Sequence, residues 1–151
     1  MKLPTSGCLL IAAFLLLFSP ILQAEDLLMA RVAATFPESM LKLQTVLKKN
    51  GQKLSRVQRV DIGLTKSGFK TDKYRIVFFG RPEEVRQISD QYPMLIPYLP
   101  HKIAIFAEED ETLLVAPNPE HLFVSDDPKL KAIIKRWHDD LVKIFHDMRE
   151  D

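Results

Sequence analysis

Few side chains in this 151-residue chain have the chemistry to catalyse a reaction or to bind a metal. No histidine forms an HxxxH or HExxH pattern, and none is paired with cysteine at the spacing of a zinc site. His138 and His146 stand eight residues apart, which is too far for both to ligate one ion from a single helix. His101 and His121 complete the set. The sequence therefore predicts no metal and no cofactor.

The common nucleophile and phosphate-binding motifs are also absent from the sequence. There is no GxSxG, no Walker loop and no GxGxxG, and the serines stand in no nucleophile motif. The acidic run at residues 108–111 lacks the alternating ligands and the glycine of an EF-hand loop, so a solvated turn is favoured. No catalytic residue is assigned, and a non-enzymatic protein is favoured.

Polar side chains around the proline-rich segment at residues 92–100 form the candidate ligand site. Tyr92, Tyr98 and His101 would place polar tips on an otherwise apolar wall, between this segment and the sheet. Arg81 would hold an anionic group close by, and Asp61 completes the set. An alternative makes Asp61 and His101 the acid and base of a small hydrolase or isomerase. That chemistry requires the two side chains to lie within hydrogen-bond reach.

The elements that must position these residues centre on a predicted β-hairpin. Apolar runs at residues 103–107 and 112–116 are short and rich in branched and aromatic side chains, which favours buried strands. The acidic run between them has the length of a hairpin loop, although it lacks an Asn-Gly or Asp-Gly pair. Pro93, Pro97 and Pro100 remove backbone donors, so no helix continues into the first strand.

Strands and helices alternate upstream of the hairpin. Thr35 and Glu38 have the spacing of a capping box, and a helix is predicted over residues 37–50. Pro82 opens another helix that ends before Pro93, and the acids after Pro82 suit the positive end of its dipole. The remaining predicted elements are strands at residues 27–34, 53–61 and 74–79 and a short helical turn at residues 63–68.

The segment from Pro128 onward has the strongest helical pattern in the chain. Its apolar residues recur at three- and four-residue steps, and Asp126 or Asp127 supplies the N-cap. A helix that covers the core is favoured, and a dimerising helix is the alternative. The elements together predict a single compact α+β domain with a mostly antiparallel sheet, in the order β-α-β-(short α)-β-α-β-β-α. The apolar residues are Leu130, Ile133, Ile134, Trp137, Leu141, Ile144, Phe145 and Met148.

Residues 1–24 are predicted to be an export signal. A positive residue precedes the apolar run at residues 9–17, and a small-residue cleavage site ends at Ala24. The run is too short for a comfortable membrane span, and a retained anchor is the alternative. Since Cys8 is the single cysteine, the chain from Glu25 would have none. A periplasmic or secreted protein without disulfides, thiol catalysis or iron–sulfur clusters follows.

The charge of the exported chain is balanced overall but uneven along its length. Loss of Lys2 reduces the 21 basic residues to 20, which equals the 20 acidic residues. Residues 42–81 hold eleven Lys or Arg and two acids, whereas residues 108–127 hold seven acids and neither Lys nor Arg. Two ordinary solvated faces are favoured, and contact with an anionic lipid head group or a second copy is the alternative. Export and the balanced charge argue against nucleic acid as a partner.

Several short sequence pieces follow one another in an order found in a known family. They are Val60-Asp61, Gly68-Phe69, Val77-Phe78-Phe79-Gly80-Arg81-Pro82 and Leu99-Pro100-His101-Lys102-Ile103-Ala104-Ile105. This order resembles domain-of-unknown-function family 302, over residues 27–119. The resemblance implies a compact α+β domain, here residues 25–119, and no settled activity. The chain departs from it at Ile62, where many members have histidine, and at Arg81, where many have a small or amide residue.

Three functions remain open from the sequence. The favoured one is an exported, non-enzymatic binding domain for a small ligand or a protein partner. The second is a self-assembling protein, in which residues 120–151 form a helical extension that packs on the domain or pairs through it. The third is the hydrolase or isomerase that would use Asp61 and His101. No nucleic acid and no stable membrane span after cleavage are expected.

Overall fold

The computed structural model describes residues 26–150. The predicted export signal at residues 1–24, with Cys8, lies outside the described residues. The strands are β1 Leu27–Val32, β2 Lys53–Arg59, β3 Tyr74–Gly80, β4 His101–Glu108 and β5 Glu111–Pro117. The helices are α1 Phe36–Lys49, α2 Val60–Lys66, α3 Pro82–Gln91, α4 Pro119–Leu122 and α5 Pro128–Arg149, with a 3₁₀ helix over Pro93–Tyr98.

The strands form one five-stranded antiparallel sheet in the order β1-β5-β4-β3-β2. The predicted hairpin is confirmed as β4 and β5, and β4 occupies the centre of the sheet. The turn between the two strands contains two residues, Glu109 and Asp110. The backbone of Glu109 has a positive φ of 45° in this turn. The α+β architecture and the order of elements predicted from the sequence are confirmed.

Helix α1 begins where its capping signal predicts. One carboxylate oxygen of Glu38 accepts hydrogen bonds from the backbone N–H of Thr35 at 2.9 Å and from its hydroxyl at 2.6 Å. The amide of Thr35 is thereby satisfied at the helix start, where no intrahelical acceptor exists. The predicted start of the helix is therefore correct within one residue.

One face of the sheet carries the main core. Side chains at every second position of β3, β4 and β5 point to this face and are buried under α1 and α5. The last turns of α5 contribute four side chains to this cluster, so the apolar stripe of the terminal helix is buried within its own chain. Those four residues are Leu141, Ile144, Phe145 and Met148.

A second, smaller core joins α3, the 3₁₀ helix and the first half of α5. Ile88 of α3 and Leu95 of the 3₁₀ helix are buried against Trp137 of α5. Leu130 and Ile134 complete the buried set. Helix α5 therefore connects both clusters, and its 22 residues give it the length to do so.

Several boundaries differ from the sequence prediction. Strand β1 ends at Val32 rather than at residue 34, and α2 covers Val60–Lys66 rather than residues 63–68. Strand β2 ends at Arg59, two residues early, because Val60 begins α2 and Asp61 turns back to bind Arg75. The proline-rich segment is a 3₁₀ helix, in which the amides of Leu95 and Leu99 bond three residues back. Within residues 26–150, no helix has the length and apolar character needed to cross a membrane.

Candidate functional site

Arg81 lies at the end of β3, where it joins the sheet to α5. Its Nη1 donates to Asp140 at 2.7 Å and to Glu84 at 3.3 Å, and its Nη2 lies 3.4 Å from the carbonyl oxygen of Asn50. The hydrogen bond to Asp140 raises the pKa of Arg81. Arg81 is thus an ion-pair residue, and both of its terminal nitrogens donate to the protein. Asp140 of α5 is thus paired with a residue that directly follows β3, 59 positions earlier in the chain.

Glu84 is the centre of the same polar network. It accepts from the indole N–H of Trp137 at 2.9 Å, from Arg81, and from both terminal nitrogens of Arg136. Burial raises the pKa of Glu84, but the hydrogen bonds from Arg136 and Trp137 outweigh burial and leave the pKa below its usual value. The carboxylate therefore stays ionised and fixes the position of α3 on α5.

His101 opens β4, with its ring between two other aromatic rings. Its centroid lies 4.8 Å from that of Trp137, edge to face, and 5.9 Å from that of Phe79. Burial lowers the pKa of His101 to about 4. The imidazole is therefore neutral at pH 7, and no side chain among residues 26–150 hydrogen-bonds to it.

His101 and Tyr98 line a small cavity at the end of the sheet. The cavity holds about 150 Å³, and its walls are closed by Phe123, Leu122 and Leu141. Tyr98 meets Phe123 edge to face at 5.1 Å, and Phe123 in turn meets Trp137. The volume suits a few water molecules or a very small solute, because ligand pockets have volumes of about 300–1,000 Å³.

Tyr92 does not reach that cavity. Its hydroxyl donates to Asp127 at 2.8 Å, and its ring packs on the second core cluster. Asp127 also caps α5 by accepting from the amide of Lys129 at 2.9 Å. The hydrogen bond from Tyr92 lowers the pKa of Asp127, so the pair stabilises the start of α5.

Asp61 lies at the opposite end of the sheet from His101. Its carboxylate pairs with Arg75 of β3, which lowers the pKa of Asp61. Along β3, Arg75 is four residues from Phe79, and Phe79 is the register partner of His101. Four residues of strand span about 13 Å, so Asp61 and His101 are far outside hydrogen-bond reach of each other. The structure does not bring the proposed acid and base together.

A larger hollow lies on the other side of the 80–82 turn, and sequence reasoning did not assign it. It holds about 510 Å³ between the start of β2, the end of β3, the start of α3 and the end of the proline-rich segment. We call it the β2–α3 hollow, and its lining residues are Lys53, Leu54, Ser55, Gly80, Pro82, Val85, Arg86 and Pro100.

Glycine at position 80 keeps the base of the β2–α3 hollow tightly packed. A Cβ on Gly80 would come within 3.1 Å of Val85 Cγ2 and within 3.8 Å of Pro100 Cβ. The Gly80-Arg81-Pro82 and Leu99-Pro100 pieces noticed in the sequence therefore meet here. These two sequence pieces were the signal that could have indicated the hollow from the sequence. Lys53 and Arg86 stand in no motif, so the sequence analysis did not find them.

Lys53 and Arg86 give the β2–α3 hollow its charge. Neither has a hydrogen-bond or salt-bridge partner among residues 26–150, and both are exposed at its rim. Leu54, Val85 and Pro100 supply apolar surface between them. No group of three or more His, Cys, Asp or Glu side chains in the described part of the chain is placed to hold a metal ion.

Comparison with known proteins identifies the family but not an activity. The family model described as "Domain of unknown function DUF302" matches residues 29–148. The chain belongs to the DUF302 family. The match includes α5, and so extends past the sequence resemblance, which ended at residue 119. No curated protein matches the chain.

A solved DUF302 structure has the same fold. It is the crystal structure of an uncharacterized conserved DUF302 protein from Bacillus stearothermophilus, with a TM-score of 0.76 and 22% sequence identity. The similarity covers 83% of this chain and 100% of that chain. At this identity the comparison supports the architecture of the DUF302 domain described above and nothing finer.

Proposed function

We propose that this DUF302 protein is an exported binding domain, and that it holds a small anionic ligand with an apolar body in the β2–α3 hollow. The observation that carries the proposal is a hollow of ligand size whose rim bears two basic side chains that have no partner among residues 26–150. A volume of about 510 Å³ falls within the range of small-molecule sites.

The chemistry of the lining sets the class of ligand. Arg86 would bind a carboxylate or phosphate through two parallel hydrogen bonds, and Lys53 would add a second charge. Leu54, Val85 and Pro100 would bury the apolar part of the ligand. Helix α3 begins on the wall at Pro82, so the positive end of its dipole also faces an anion there.

A native mass spectrum of the protein recovered from its own compartment tests the proposal. We expect an adduct that is lost on denaturation, and its mass gives the ligand. The double substitution Lys53→Gln with Arg86→Gln should abolish the adduct. Octanoate is the defined probe, and its dissociation constant should rise at least about tenfold in the double variant, which corresponds to about 1.4 kcal/mol.

The matched control removes the same charge elsewhere. Arg59 and Lys66 are exposed at the opposite end of the sheet, so Arg59→Gln with Lys66→Gln should leave adduct and probe binding unchanged. Retention of the adduct by the Lys53 and Arg86 variant would show that the hollow is not the site. Equal losses of adduct and probe binding in both double variants would mean that the net charge of the protein, and not the hollow, determines binding.

The other two functions have less support from the geometry. The acid–base alternative lacks an acid and a base within hydrogen-bond reach of each other, since Asp61 and His101 lie at opposite ends of the sheet. Assembly through the apolar stripe of α5 would compete with the core, where that stripe is already buried.

A further inference from the structure

The small cavity at the end of the sheet is lined mainly by apolar groups. We call it the His101 cavity, and it holds about 150 Å³. Most of its lining residues have side chains of carbon and hydrogen alone, and these are Pro117, Pro119, Leu122, Phe123 and Leu141. A cavity of about this volume with apolar walls is large enough to bind a single six-membered ring such as benzene.

His101 is the polar group inside the cavity. Its ring is largely enclosed by Phe79 and Trp137, yet no group among residues 26–150 forms a hydrogen bond with it. Every fully buried side-chain nitrogen or oxygen in that range has a hydrogen-bond partner, so the unpaired nitrogens of His101 are not fully buried. They therefore open into the cavity that the ring lines.

The two other polar residues of the lining keep their polar ends outside the cavity. Lys102 follows His101 on β4, and successive strand side chains point to opposite faces, so its ammonium lies on the other side of the sheet. Tyr98 is 46% exposed, which places it at the mouth of the cavity together with Leu122. Among the described residues, the imidazole is thus the one hydrogen-bonding side chain on the inner wall.

Water fits this inner wall poorly. An internal water needs two to four hydrogen-bond partners, and the inner wall offers it the imidazole. A ring that displaces weakly held water gains affinity from its apolar surface, and one hydroxyl group on that ring can bond to His101. The neutral imidazole has one donor nitrogen and one acceptor nitrogen, so it matches a hydroxyl group in either role.

The charges around the cavity favour an uncharged ligand. Burial lowers the pKa of His101 to about 4, so the imidazole carries no charge at pH 7. The carboxylates that act on His101, Glu84 and Asp140, are already paired with Arg136 and Arg81. An ionised ligand would therefore lose its hydration without gaining a counter-charge.

We propose that the His101 cavity is a second binding site, which takes an uncharged single-ring molecule with one hydroxyl group, of the phenol class. The ring lies against Phe123 and Leu141, and the hydroxyl group bonds to His101. The sheet separates this site from the β2–α3 hollow, because Phe79 and its register partner His101 face the core whereas Gly80 points to the other side. The two sites therefore bind independently.

Phenol and toluene are the probes, and ligand-observed NMR titration of the protein as the cell processes it gives their dissociation constants. His101→Phe keeps a flat ring but removes both nitrogens. We expect the dissociation constant of phenol to rise at least about tenfold, because its hydroxyl group loses its partner, and that of toluene to change less than about threefold. His146→Phe is the matched control on the exposed side of α5 and should change neither.

Filling the cavity is the second test. Leu122→Trp places an indole in the mouth of the cavity and should abolish binding of both probes. Val124→Trp is its control, because Val124 is 96% exposed two positions away, and binding should be retained. In the wild type, phenol should shift the amide resonances of Phe123 and Leu141, and this measurement carries the test if the variants do not fold.

The outcomes also separate this site from the hollow. Absence of phenol binding up to about 20 mM, equal weakening of phenol and toluene by His101→Phe, or retained binding in Leu122→Trp would overturn the proposal. Saturation with octanoate should leave the phenol titration unchanged, and competition between the two would place phenol in the hollow and overturn it as well. Loss of octanoate binding alone would contradict the proposed function and leave the His101 cavity supported.

Discussion

His101 shows how its surroundings determine the behaviour of a polar residue. In the sequence it follows Pro100 and precedes a strand, which made it a candidate ligand group. In the structure its ring packs between Trp137 and Phe79, and burial lowers its pKa to about 4. A neutral histidine that is kept from protonation contributes to the dependence of stability on pH.

We predict that the free energy of unfolding falls as the pH decreases from 6.5 to 4, and that His101→Gln removes part of this fall. In that window the unfolded chain gains a proton at His101 and the folded chain does not, so acid favours unfolding. The shift from 6.5 to about 4 corresponds to at most about 3 kcal/mol. Urea titrations at pH 7, 6, 5 and 4 measure the difference.

His146→Gln is the control for that experiment, because His146 is exposed on α5 and the same residue types are exchanged. It should follow the wild-type pH dependence. Glu84 and Asp127 act in a different window, since carboxyl groups with lowered pKa values lose their contribution only below about pH 4.5. Identical slopes in wild type and His101→Gln between pH 6.5 and 5 would contradict a buried, neutral His101.

At the scale of elements, α5 determines much of the fold. Its N-terminal half contacts α3 and the 3₁₀ helix, and its C-terminal half covers the sheet beside α1. Asp127 caps its start, and Asp140 receives Arg81 at its middle. The helix is therefore an integral part of the domain rather than an appendage.

We predict that Ile144→Ala lowers the free energy of unfolding by about 3 kcal/mol, as expected for removal of a fully buried aliphatic side chain. Val142→Ala, two positions away and exposed, should change it by less than about 0.5 kcal/mol. Chemical denaturation measures both. Similar values for the two variants would mean that α5 does not pack on the sheet through Ile144.

At the scale of the whole molecule, the two core clusters share one helix. The main cluster joins the sheet, α1 and α5, and the smaller one joins α3, the 3₁₀ helix and α5. The network of Glu84, Arg81 and Asp140 lies between them. Because neither cluster is complete without α5, both should unfold together.

This coupling predicts a single transition in urea. Trp137 is the one tryptophan of the chain and lies in the smaller cluster, so its fluorescence reports on that cluster. Far-UV circular dichroism reports on the sheet and helices as a whole. The two midpoints should coincide within error, and a fluorescence midpoint well below that of circular dichroism would show that the smaller cluster unfolds first.

The sequence by itself determined the elements and their order, because these depend on local signals. The capping box at Thr35, the Pro128 helix start and the branched runs of the hairpin each follow from neighbouring residues. The way in which these elements pack on each other could not be predicted from local signals. That β4 lies at the centre of the sheet, and that α1 and α5 pack on the same face of it, results from contacts between distant segments.

Tertiary structure decided which polar residues have committed partners. Arg81 and Tyr92 appeared available for a ligand, but Asp140 and Asp127, 59 and 35 residues away, take their hydrogen bonds. Lys53 and Arg86 carried no local signal, yet they meet across one hollow because β2 pairs with β3 and α3 follows β3 directly. A side chain's partners are set by which distant segments pack against it, and spacing along the chain does not encode that for isolated charged residues.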